Sequence, residues 1–151
     1  MLDALRRFLA DMAGHNEKLA VGEDEIRLAA AALLFHVVAV DGVVSGEERA
    51  MLSELLQKRF HLDRADTKSL VRAAEEADGE AVDLYGFTSL LKARLEQADR
   101  ERIIELMWKL VYADGTVHEF EDNAVWRVAE LLAVPSQTRI RLKQSVRGRG
   151  G

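Results

Sequence analysis

One ten-residue segment of this chain occurs twice, and this constrains the fold more than any other feature. Residues 39–48 read AVDGVVSGEE and residues 112–121 read YADGTVHEFE, so the pattern Asp-Gly-x-Val-x-x-x-Glu returns 73 residues later. The apolar frame repeats in register: Ala30, Leu33, Val37 and Val40 before the first copy match Ile103, Leu106, Leu110 and Ala113 before the second. A repeat of this kind indicates one supersecondary unit used twice. We therefore expect two related halves that share one core with approximate twofold symmetry.

Apolar residues recur at helical spacing, and no segment alternates apolar and polar residues as a strand would. The pattern predicts helices over about 1–13, 23–40, 45–60, 63–79, 83–95, 99–112 and 119–133, and an eighth from Ser136. We predict an all-α fold of about seven to eight helices in two pseudo-symmetric halves, residues 23–77 and 84–146. Both belong to a single domain over 1–147, and residues 148–151 are predicted to be a flexible tail.

Composition excludes several classes of chemistry. The 151 residues include no cysteine, which rules out disulfides, thiolate metal sites and thiol redox chemistry. No apolar run approaches the roughly 20 residues that span a bilayer, and residues 1–13 carry Asp and Arg where a signal peptide needs an apolar run. We expect a bacterial cytoplasmic protein.

Charge is distributed unevenly along the chain. The formal net charge is −5, yet no acidic residue follows Glu130. The cations beyond it are Arg139, Arg141, Lys143, Arg147 and Arg149. This basic C-terminal segment suits a membrane surface or an acidic partner, and the alternative is a helix whose cations only complement its dipole. A protein partner is expected, and nucleic acid is not.

The repeated turn can be understood as one helix end followed by one helix start. Gly42 and Gly115 are predicted to take a positive φ and to end the incoming helices without a Cβ clash. Ser45 is then the N-cap of the next helix, and Glu48 completes a capping box. In the second copy His118 is a poorer cap, while the glutamate keeps its position. On this interpretation the acidic residues are structural.

The rival interpretation is metal binding. The first turn is similar to the second half of an EF-hand loop, but Val37 and Ala39 stand where the first acidic ligands would be. One copy alone offers too few oxygens for calcium, whereas two turns brought together would pool four carboxylates. These candidate ligands of a divalent cation are Asp41, Glu48, Asp114 and Glu121, with His118 as an additional candidate. Capping alone and capping with metal binding both stay open.

Three stretches of the second half join the paired turns in carrying a family resemblance. They read DLYGFT at 83–88, WKLVYADG at 108–115 and EFED at 119–122. Over about residues 23–143 the chain resembles a bacterial branch of the tellurite-resistance TerB family and its TerB-like relatives, which include the helical domain of DjlA-type co-chaperones. The resemblance implies an all-helical fold of two related halves, a bacterial cytoplasmic setting and acidic residues suspected of binding metal. It implies no enzymatic activity.

The aromatic residues of the second half fall at helical spacing. Trp108, Trp126, Tyr85 and Phe87 are predicted to be core residues. Tyr85 and Trp126 would instead mark a groove for a partner if they proved exposed. His36 corresponds to a lysine in the repeat, which predicts a partly exposed helix face.

No serine lies in a Gly-x-Ser-x-Gly turn, and no glycine loop suits a phosphate. The leading hypothesis is a non-enzymatic TerB-like stress-response module that binds partners, with a divalent cation at the acidic turns as candidate trigger. The alternative is a purely structural interaction or co-chaperone-type domain without metal. A third hypothesis, from a different class of function, is a metal-dependent hydrolase that uses the pooled carboxylates. The partner, the oligomeric state and the relevance of tellurite stay open.

Overall fold

A computed structural model describes residues 21–40, 42, 44–81, 83–113 and 119–150. These residues form seven helices and no strand, which confirms the predicted all-α class. The helices are α1 (Val21–Ala39), α2 (Gly46–Phe60), α3 (Arg64–Glu80), α4 (Tyr85–Arg94), α5 (Gln97–Val111), α6 (Glu119–Leu131) and α7 (Ser136–Gly150). The helix predicted over residues 1–13 lies outside the described residues.

Local sequence signals account for several helix ends. Asp63 is the N-cap of α3, and its carboxylate accepts from the Asp66 backbone N–H at 2.7 Å. His61 ends α2 in the left-handed conformation, with φ 54°. Helix α7 extends through Gly150 and so includes three of the four residues predicted to form the tail. Gly42 has φ +86°, as predicted, whereas Gly115 lies outside the described residues.

Helix α1 is the centre of the molecule. Its residues from Leu28 to Val38 are all buried except His36, which is half-buried. A helix that is apolar on nearly every face needs neighbours all round, and α1 contacts α2, α3, α4, α5 and α6. Its most extensive contact is with α3. Small side chains are buried on both helices: Ala73, Ala74 and Ala77 on α3, and the alanines at 29–32 on α1.

The second half packs around α5. Trp108 is fully buried, and its indole N–H donates to the Arg139 carbonyl of α7 at 3.2 Å. Helix α5 also contacts α1 and α2, so buried residues of both predicted halves belong to one continuous core. The twofold relation between the halves stays a prediction. Within the described part of the chain, no helix is both long enough and apolar enough to cross a membrane.

Candidate partner-binding site

Two of the four aromatic residues predicted to be core residues are exposed instead. Trp108 and Phe87 are buried as predicted, but the prediction was wrong for Tyr85 and Trp126, which are 67% and 47% exposed. Phe120 at the start of α6 is 65% exposed as well. Exposed aromatic side chains on neighbouring elements are an unusual feature for a surface, and they point to contact with another molecule.

Trp126 and Tyr85 are exposed because of their positions around their helices. The core face of α6 is already occupied by Glu121, Ala124, Val125, Val128 and Ala129, at helical spacing. Trp126 follows Val125 by one residue, about 100° around the helix, and therefore lies outside that face. Tyr85 likewise follows Leu84, whose face continues through Phe87, Thr88 and Leu91. The residue types of Trp126 and Tyr85 favoured burial, but other side chains fill the core-facing positions of these two helices.

The exposed aromatic residues flank one surface depression, which we call the aromatic groove. Its two adjoining parts, of about 540 and 400 Å³, share His36, Leu84 and Arg127. Tyr85 lines one part, and Val40, Phe120 and Trp126 line the other. The groove therefore lies where the C-terminal end of α1, the start of α4 and the outer face of α6 meet.

Polar contacts fix the frame of the aromatic groove. His36 Nδ1 lies 2.7 Å from Asp78 Oδ1, which joins the last turn of α1 to the end of α3. The Asp83 carboxylate accepts from the Tyr85 backbone N–H at 2.9 Å and so fixes the first turn of α4. The groove thus combines exposed aromatic side chains and the buried Leu84 and Ala124 with a histidine, carboxylates and an arginine, an arrangement suited to binding an amphipathic segment.

The acidic turn of the first half forms the predicted capping box. Ser45 Oγ accepts from the Glu48 N–H at 3.0 Å, and Glu48 Oε1 accepts from the Ser45 N–H at 3.0 Å. Glu48 is only 5% exposed, so this carboxylate is nearly removed from solvent. Glu48 therefore has a structural role at the start of α2, and one of its two oxygens already accepts a hydrogen bond.

Of the other candidate metal ligands, only Glu121 belongs to the described residues. Glu121, at the position corresponding to Glu48, is buried in the first turn of α6. Asp41, Asp114 and His118 lie outside the described residues. Among the residues that are described, no three His, Asp or Glu side chains group as a metal site. The pooled cation site stays a prediction.

Sequence reasoning missed the His36–Asp78 contact and the contribution of Phe120 and Arg127 to the groove. His36 and Asp78 are 42 residues apart, on helices whose crossing no local pattern encodes. For Phe120 a signal existed, because it lies on the polar side of the α6 pattern, opposite Val125 and Ala129. The position of Phe120 in that pattern thus predicts an exposed ring.

The fold and these sites define a class: an all-helical domain whose sequence repeats an Asp-Gly pattern and whose described surface includes an exposed aromatic groove. The family model described as "Tellurite resistance protein TerB" matches residues 27–144, which is most of the chain. The chain belongs to the TerB family. A search of curated proteins and a search of solved structures each found no match.

Proposed function

We propose that this chain is a non-enzymatic, cytoplasmic stress-response module of the TerB family that binds a protein partner at the aromatic groove. The observation that supports the proposal is the exposure of Tyr85, Phe120 and Trp126 around one depression. Tyrosine, tryptophan and arginine are the residue types that supply most of the binding energy in protein interfaces, and Arg127 stands between the rings. The occupant we propose is an amphipathic helix or strand of the partner.

The size of the exposed surface is adequate for this role. Each of the three rings leaves on the order of 100 Å² accessible, and covering that area is worth about 2.5 kcal/mol per ring at about 25 cal/mol per Å². This is an upper bound, because ordering and desolvation oppose it. The total still exceeds what a scattered exposed apolar residue such as Ile140 offers.

Site-specific photocross-linking in the native host tests the proposal. A benzoylphenylalanine in place of Tyr85 or of Phe120 should give the same discrete adduct after irradiation. The matched control places the probe at Ile140, which is also an exposed apolar residue but lies on α7, away from the groove. Trp126→Ser should abolish the adduct formed from position 85.

Two outcomes would contradict partner binding at the groove. One is an identical set of adducts from positions 85 and 140, since that pattern reports random collision. The other is an adduct from position 85 that persists unchanged when Trp126→Ser is introduced. Circular dichroism of each purified variant shows whether the helical fold has been kept.

A divalent cation at the acidic turns is the second part of the proposal. Its support is the equivalent location of Glu48 and Glu121, both buried in the first turn of a helix that follows an Asp-Gly pair. Carboxylate oxygens are the ligands that calcium and magnesium prefer. We expect calorimetric titration with calcium, magnesium, zinc and manganese to detect one binding cation, and the double variant Asp41→Asn, Asp114→Asn to lose it. Absence of heat for all four ions with the wild-type chain would favour capping alone.

A further inference from the structure

A second groove, separate from the aromatic one, lies between α2 and α3 and is lined by cations. We call it the cationic groove; its volume is about 430 Å³. Its lining residues are Arg49, Ser53 and Gln57 of α2 and Arg64, Thr67, Lys68, Val71, Arg72 and Glu75 of α3. Four of these side chains are cationic and one is anionic, in a chain whose formal net charge is −5. The local charge is therefore opposite to that of the whole molecule.

The helical spacing aligns these cations in rows. Arg64, Lys68 and Arg72 are four residues apart, which places successive charges about 6 Å apart along one face of α3. Arg49 follows the same spacing with Ser53 and Gln57 on α2, across the groove. Asp66 lies about 160° around α3 from Lys68, whereas Glu76 and Glu80 continue the four-residue spacing beyond Arg72, so the cationic row is followed by two acidic positions.

The row on α3 is not neutralised within the described part of the chain. Arg49 Nη2 lies 3.5 Å from Glu75 Oε2, so that cation already has a carboxylate. Arg64, Lys68 and Arg72 are exposed, and none of them forms an ion pair with a described residue. Three like charges in adjacent positions repel each other and are destabilising by a few tenths of a kcal/mol per pair. An arrangement with that cost calls for a benefit outside the folding of the helix.

The sequence repeat shows that the helix pair itself does not require this row. The positions that correspond to Arg64, Lys68 and Arg72 are Ser136, Ile140 and Gln144 of α7. Helices α6 and α7 still contact each other without such cations. The cationic row is thus present in one half of the repeat only. A row that folding required would be expected in both halves, whereas a binding surface can belong to one.

We infer that the cationic groove binds an acidic helical segment of a partner protein, with carboxylates spaced four residues apart. Such carboxylates are about 6 Å apart along the partner helix and match the spacing of Arg64, Lys68 and Arg72. Arginine pairs with carboxylates through two parallel hydrogen bonds, which gives the two ends of the row directional recognition. The hydroxyl of Ser53 and the amide of Gln57 line the opposite wall and supply neutral hydrogen-bonding groups. This inference does not depend on the aromatic groove.

Other polyanions fit the groove less well. A bilayer is flat and would reach only the rims of a depression between two helices. Nucleic acid binding rests on neutralising many phosphates, whereas this groove offers three cations that pair with no described carboxylate, in a chain whose formal net charge is −5. A helix is narrow enough to lie along a groove between two others and carries its charges on one side.

Fluorescence anisotropy with defined probes tests the inference. The ligand is a labelled alanine-rich helical peptide with glutamate at every fourth position, and its control has glutamine at the same positions. The protein variant is Arg64→Gln, Lys68→Gln, Arg72→Gln. The matched control is Lys92→Gln, Arg94→Gln, Arg141→Gln, which removes the same number of exposed cations from α4 and α7.

We expect the groove variant to weaken binding of the glutamate peptide at least about tenfold, and the control variant to leave it within about twofold. The charge-reversed variant Arg64→Glu, Lys68→Glu, Arg72→Glu should instead bind a peptide with lysine at the same spacing. Equal affinity of the glutamate and glutamine peptides would overturn the inference, as would equal losses in the two glutamine variants. A single-stranded oligonucleotide or phosphatidylglycerol vesicles that depend on the groove more strongly than the peptide would overturn it in favour of nucleic acid or membrane.

Discussion

The loss of folding free energy on removing the N-cap of α2 can be estimated directly from the structure. Ser45→Ala deletes the hydroxyl that accepts from the Glu48 N–H at 3.0 Å, and loss of such a cap costs about 0.5–2 kcal/mol of folding free energy. Glu48→Ala removes the acceptor of the Ser45 N–H, and a half-buried donor left without a partner costs about 1–3 kcal/mol. The two halves of the box share one turn, so the double variant should lose less than the sum of the single losses.

Urea denaturation followed by circular dichroism at 222 nm gives these free energies. Ser69→Ala is the matched control, because Ser69 is an exposed serine inside α3, where substitution should change stability by less than about 0.5 kcal/mol. The reasoning would be refuted if Ser45→Ala and Ser69→Ala had the same midpoint, or if the losses at Ser45 and Glu48 were strictly additive. Repeating the series with EDTA and with calcium separates capping from metal binding, since only a bound cation makes the loss at Glu48 depend on the ion.

Two further predictions concern the backbone and a buried carboxylate. Gly42 has φ +86° and Gly46 does not have a positive φ, while neither has an atom within 4 Å of an added Cβ. Gly42→Ala should therefore lower the free energy of unfolding by about 1–2 kcal/mol, and Gly46→Ala should not. Equal thermal midpoints of the two variants would contradict this. Burial raises the pKa of Asp24 above its usual value, with Arg27 opposing the rise, so the folded chain holds this proton more tightly and stability falls as the pH rises from 3.8 through the folded pKa. Asp24→Asn should consequently raise the thermal midpoint more at pH 7 than at pH 4, and an equal change at both values would show that Asp24 does not titrate this way.

Features encoded by neighbouring residues were predictable from the sequence. The helical spacing of apolar residues predicted a helix over about 23–40, and the structure makes that helix the centre of the core. The Ser45 and Glu48 spacing predicted a capping box because both bonds are made within one turn. The positive φ of Gly42 followed from the need to end α1 before α2 begins.

Features that depend on how helices cross were not predictable in this way. Trp126 and Tyr85 are large and apolar, which favoured burial, but burial is decided by which helix face meets a neighbour. The contact of His36 with Asp78 joins helix ends that are distant in the sequence. The cationic row of α3 was visible as a spacing of four, yet its location in a groove depends on how α2 packs beside it.

Growth on tellurite is the most direct test of the claim that the aromatic groove carries the function of this TerB-family chain. A strain that lacks the gene is complemented with the wild type, with Tyr85→Ser plus Trp126→Ser, or with Ile140→Ser, each at matched expression. On the proposed function we expect the wild type and Ile140→Ser to restore growth and the groove variant to fail, because exposed rings that bind a partner can be replaced without disturbing the buried core. Full resistance with the groove variant, in a host whose deletion strain is sensitive to tellurite, would contradict the account.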